Sequence, residues 1–62
     1  MLVHARDIVP GDLVITPKWN YNGMKVRSVA ILEDSSTMFT YVDNSIEWFE
    51  PIAIVVRKDN VG

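Results

Sequence analysis

Asp7-Ile8-Val9-Pro10-Gly11-Asp12-Leu13-Val14-Ile15 is a turn that opens directly into an apolar strand. Pro10 holds φ near the value that the second position of a β-turn needs, and Gly11 can take the positive φ of a type II turn. Asp12 can close that turn with its side chain. Leu13-Val14-Ile15 has the β-branched, aliphatic character of a strand, with Leu13 and Ile15 on one face and Val14 on the other. Thr16-Pro17 ends the strand, because proline brings no amide to a ladder.

Outward from this cassette the chain reads as strands separated by turns. On the N-terminal side, Met1 to His4 reads as an arm or short strand within residues 1–7. Ala5-Arg6-Asp7-Ile8 has room for one helical turn at most. On the C-terminal side, Lys18 to Gly23 is a loop by composition, and Asn22-Gly23 is a tight-turn signal. Met24 to Ser28 alternates, with Met24, Val26 and Ser28 on one face, and Val29-Ala30-Ile31-Leu32 then breaks phase. A bulge near Ser28 would return Val29 and Ile31 to the core and bend the strand. Glu33-Asp34-Ser35-Ser36 reads as a turn and Thr37 to Val42 as a strand. Asp43-Asn44-Ser45 reads as a second hairpin turn. Ile46 to Phe49 follows with Ile46 and Trp48 on one side, then a tight turn at Glu50-Pro51. Ile52 to Val56 is the last strand, and 58–62 is a flexible tail. The reading is all-β: five short antiparallel strands closing into a small barrel, with at most one helical turn near residues 50–53.

Composition narrows the class. Sixty-two residues make one domain and bury a modest core. With no cysteine, neither a disulfide framework nor a thiolate metal site can make up the shortfall, and one histidine rules out a histidine-rich site. Dense packing, self-association or docking on a larger body remain. The longest apolar run, Ile52 to Val56, is far too short for a bilayer-spanning helix, and the N-terminus lacks the pattern of a secretory signal. The expectation is a cytoplasmic protein without a membrane partner. Net charge is −2, unevenly spread. Residues 28–56 carry Glu33, Asp34, Asp43, Glu47 and Glu50 with no lysine or arginine, which disfavours a phosphate backbone as ligand.

The pattern resembles the SH3-like small β-barrels, and in particular short barrel proteins of tailed phages. The residues that carry the resemblance are Gly11-Asp12-Leu13-Val14, Ile31, Ile46-Glu47-Trp48-Phe49 and Ile52 to Val56. The resemblance implies a fold and a phage setting, in the host cytoplasm or the virion, and brings no catalytic residue with it.

Few residues suggest chemistry. His4 lacks a nucleophile and an orienting acid at a readable spacing. Glu47, between Ile46 and Trp48, fits an outward charge on a strand, and Glu50 before Pro51 fits a turn. Glu33, Asp34 and Asp43 lack the spacing of a calcium loop. No cofactor, metal, catalytic group or small-molecule substrate is expected. The strongest candidates are aromatic: Trp19 and Tyr21 on the loop after the first strand, with Tyr41 and Trp48 on facing strands and Lys18 and Lys25 as a basic rim. Such clusters suit partner binding, or else the loop aromatics fold back and cap a barrel too small to fill itself. The expected function is a non-enzymatic protein–protein interaction or structural module, self-associating or docked on a protein: a phage accessory or virion component, or a modulator of a host protein. The alternative is a small barrel that stacks single-stranded nucleic acid on Trp19, Tyr21 and Tyr41, with Lys18, Lys25 and Arg27 along the phosphates.

Overall fold

A computed structural model describes residues 1–58. The chain is all-β, as its patterning requires, and forms six strands: β1 (Leu2–His4), β2 (Leu13–Ile15), β3 (Gly23–Ile31), β4 (Thr37–Tyr41), β5 (Ile46–Phe49) and β6 (Ile54–Lys58). They make one antiparallel sheet in the order β1-β6-β2-β3-β4-β5. The expected five-stranded closed barrel is therefore corrected on two points. The N-terminal residues form a sixth strand, and the sheet stays open, because among the described residues β1 pairs only with β6 and β5 only with β4. Among the described residues no helix is long and apolar enough to cross a membrane.

The opening cassette folds as its residues dictate. Asp12 N donates to Val9 O at 3.1 Å across Pro10-Gly11, with Gly11 at φ +99°, which is the type II arrangement. Asp12 Oδ2 accepts from Val9 N at 3.1 Å and closes the turn from the side-chain end. Gly11 N donates to Val26 O at 2.8 Å, and Val26 N to Asp12 O at 2.9 Å, so the turn is also pinned to β3. Val14 faces the core and is fully buried.

The bend of β3 comes from a bulge at the expected place. Pairing with β4 passes from Val26–Tyr41 to Ser28–Thr40 and leaves Arg27 without a partner. The extra residue turns Ser28 outward and Val29 inward against the core. Ile31 does not follow Val29: it ends β3 beside a turn and is 55 % exposed. Arg27 Nη1 donates to Asn44 Oδ1 and ties the bulge to the β4–β5 turn.

Both ends of β4 carry the same three-residue turn. Leu32 N donates to Ser36 O at 2.8 Å and Ser35 N to Leu32 O at 2.9 Å; Tyr41 N donates to Ser45 O at 2.8 Å and Asn44 N to Tyr41 O at 2.9 Å. Ser35 (φ +70°) and Asn44 (φ +71°) hold the left-handed position. In each turn an aspartate Oδ1, of Asp34 or Asp43, accepts from the backbone N–H and the hydroxyl of the serine two residues on. These bonds hold both carboxyls below the usual carboxylate range, the serine hydroxyl being the first cause in each.

Other expectations shift. The tight turn of the β2–β3 loop lies at Asn20-Tyr21, both at positive φ, and Asn22-Gly23 lies beyond it, with Gly23 opening β3. Pro17 starts a 3-10 turn over Pro17–Trp19 and moves the reversal two residues earlier. A second 3-10 turn spans Ala5–Asp7. Residues 50–53 form a β-turn instead of a helical one, with Ala53 N donating to Glu50 O at 3.0 Å. The last strand begins at Ile54 and includes Lys58, which the expected tail had claimed. The rest of that tail, 59–62, lies outside the described residues.

The core consists of Ala5, Ile8, Val14, Val26, Phe39, Tyr41 and Val55, with Val3, Trp19, Met24, Val29, Phe49 and Ala53 packed around it. Phe39 stands 4.7 Å from Phe49 and 6.1 Å from Tyr41 between ring centroids, a range in which aromatic pairs attract beyond simple area burial.

Candidate interaction surface

The β4–β5 turn decides which side chains reach the surface. Its closing pair, Tyr41 and Ser45, sets the register so that Phe39 faces Glu47 and Thr37 faces Phe49. Thr37, Phe39 and Tyr41 point inward, so Glu47 and Phe49 do too. Ile46 and Trp48 are left outside, exposed to 58 % and 53 %. The expected outward Glu47 is thus corrected: its side chain faces the interior.

Glu47 is satisfied there. Its Oε1 accepts from Tyr41 Oη at 2.5 Å and from Thr16 Oγ1 at 3.2 Å, so β5 is tied to the end of β2 across the curled sheet. Burial, followed by this hydrogen bond and the carboxylate charge, pushes the Tyr41 phenol far above its ordinary value of 10.0. Trp19 meets the Tyr41 ring edge-on at 5.1 Å, and Lys18 Nζ lies 5.2 Å from the Trp19 ring centre. The Trp19 indole nitrogen is buried and makes no hydrogen bond of normal geometry.

The expected aromatic groove is therefore not assembled. Lys18, Trp19 and Tyr41 do come together, but as a cap on the core. Tyr41 is 0 % exposed and out of a partner's reach, because its place on β4 shares the inward phase of Phe39. Tyr21, two residues beyond Trp19, is swung outward by the turn and is 70 % exposed. Lys25 stands on the outer face of β3, paired with Leu13, and does not rim the aromatic cap. Trp48 is on the sheet face opposite Tyr41.

Two outer apolar areas result. On β1, β6 and β2, the register lines up Leu2, Val56 and Ile15 across three strands, with Ile54 beside them. The N-terminal segment extends this sheet edgewise and does not cover its outer face; Leu2 itself is exposed. On β5, Ile46 and Trp48 pair outward with Thr40 and Met38.

The β5 area has a second property. Tyr41 and Ser45 form a hydrogen-bonded pair, and antiparallel pairs alternate, so Ile46 and Trp48 are the β5 residues whose backbone N–H and C=O point away from β4. The two exposed side chains and the free backbone valences thus belong to the same residues. Reading the residues alone missed Ile46 as a site residue. The signal was present in the turn: an aspartate-x-serine loop closed by Tyr41 and Ser45 sets the parity of everything after it. No protein-family model, curated protein or solved structure matches this chain.

Proposed function

We propose that this chain is a protein–protein interaction module, not an enzyme, and that it docks through the outer face and free edge of β5. The carrying observation is the coincidence at Ile46 and Trp48 of exposed apolar side chains with unpaired backbone groups, the combination that strand addition uses. The surface as a whole supports it. Among the described residues, twelve large apolar side chains are exposed against seven apolar residues buried, a balance that favours a covered state. Stacking of nucleic-acid bases has less support, since Tyr41 offers no ring face to a base.

An SH3-like relationship remains part of this reading at the level of connectivity. The support is the run β2-β3-β4-β5 of successive neighbours, a short turn, and the return of β6 to pair with β2. A phage setting, as an accessory or virion component or a modulator of a host protein, is the context the sequence resemblance proposes for such a module.

The test is photo-crosslinking. Benzoylphenylalanine replaces Trp48 in one variant and the exposed loop residue Tyr21 in another, in cells that produce the chain. Adducts from position 48, whether with another protein or a second copy, and none from position 21 are expected. No adduct at 48, or equal yields at both, overturns the reading.

A further inference from the structure

Resting on β5 as the docking edge, we infer that its partner is the β5 edge of a second copy, joined antiparallel about a two-fold axis at Trp48. The edge is open and carries none of the usual blocks: Ile46 to Phe49 contains no proline, no lysine and no bulge. Its one charge, Glu47, points inward, a placement that ordinarily discourages strand addition because pairing would bury it. Here the carboxylate already accepts from Tyr41 and Thr16, both at Oε1, so a covering strand meets a charge whose burial the fold has partly offset.

Backbone and charge together select the register. A two-fold axis must pass through a residue that pairs with itself. With the axis at Glu47, the two carboxylates lie directly opposite each other on the inner face, and like charges so placed repel. With the axis at Trp48, Trp48 meets the partner's Trp48, and Glu47 meets the partner's Phe49. Trp48 is also a residue whose N–H and C=O point outward, so the central pair exchanges both hydrogen bonds, whereas an axis at Ile46, the other such residue, would set Trp48 against the partner's Asn44, whose φ of +71° has left the strand. The indole rings then lie side by side on the outer face, with Met38 of each copy beside them.

The other open edge, β1, could meet β5 of the next copy, but that contact is head-to-tail and does not close on itself. The two-fold pairing closes at two subunits. With about five residues a side, it falls at the small end of interface size, so dimerisation is expected to be concentration-dependent between about 1 µM and 1 mM.

The test is sedimentation velocity across that range on the full chain, with isotope-filtered NOEs on a mixed labelled sample. A monomer–dimer equilibrium and an intermolecular Hα contact between Glu47 and Phe49 are expected. Trp48→Lys should raise the dissociation constant at least about tenfold with an unchanged circular dichroism spectrum; Ile46→Lys serves if that variant does not fold. A monomer at every concentration, an open-ended polymer, a Glu47–Glu47 contact, or a dimer joined elsewhere overturns the inference. A monomer whose position-48 probe still captures a different protein overturns the second copy alone. A monomer with no adduct overturns the docking edge as well.

Discussion

Tyr41 Oη donates to Glu47 Oε1 at 2.5 Å, diagonally across the β4–β5 pair and inside the curl of the sheet. The bond places a carboxylate where the strand pattern suggests only apolar contacts. It also links the surface to the core: the same phase that turns Glu47 inward turns Ile46 and Trp48 out.

Removing the phenol hydroxyl leaves Glu47 with Thr16 as its remaining donor. Tyr41→Phe is expected to destabilise the fold by about 1–3 kcal/mol, since a part-buried acceptor loses a charged hydrogen bond. Because the folded Tyr41 pKa is raised, the folded state holds its proton where the unfolded chain releases it. The sign is therefore fixed: stability from this group is full below pH 10 and falls as pH rises beyond it. Urea midpoints measured from pH 8 to 12 should show this alkaline decline in the native chain and lose its Tyr41 component in Tyr41→Phe; identical slopes would refute the assignment.

The twin turns act at the other end of the pH scale. Asp34 and Asp43 have depressed folded pKa values, so their contribution is present above 3.8 and is lost as pH falls through the folded values. Carboxyl chemical shifts followed by NMR should place both groups below 3.8. Ser36→Ala and Ser45→Ala should each move the adjacent aspartate back upward, and only that one. A common shift of both aspartates would contradict two independent turns.

Two glycines separate backbone strain from crowding. A Cβ at Gly11 meets nothing within 4 Å, yet φ is +99°. Gly11→Ala is expected to cost about 1–2 kcal/mol through conformation alone. Gly23 has no such φ, and its Cβ would make an ordinary 3.5 Å contact with Lys58. Gly23→Ala should be neutral within about 0.5 kcal/mol. Thermal melts of the two variants decide it, and equal losses would contradict the assignment of the Gly11 cost to its φ.

The aromatic loop divides by burial. Trp19→Ala removes the edge-on contact with Tyr41 and opens the cap, for an expected loss of about 2–4 kcal/mol, while Tyr21→Ala should stay within about 0.5 kcal/mol. In a Trp48→Phe background the remaining Trp19 fluorescence should resist iodide quenching. Strong quenching there would place Trp19 at the surface.

Much of the architecture is legible in local chemistry. Pro10, Gly11 and Asp12 define their turn because each residue's φ or side-chain preference acts within three positions. The break in alternation after Val26 announces the bulge because pleat parity is a local property. The site is less legible. Alternation alone divides Ile46-Glu47-Trp48-Phe49 into two sets without saying which is inside, and a charged residue between two apolar ones suggests outside. Tyr41 and Thr16, distant in sequence, supply the hydrogen bonds that make the opposite choice favourable.

The all-β class, the positions of the turns that flank β4, the bulge, and a type II turn entering β2 are readable from local residues. Each rests on backbone preferences that hold wherever the segment is placed. The sixth strand, the open edges, the burial of Tyr41 and Trp19, and the outward pair Ile46 and Trp48 emerge from the folded arrangement. Those depend on which strand neighbours which and in what register, and register is settled by contacts between residues far apart in the chain.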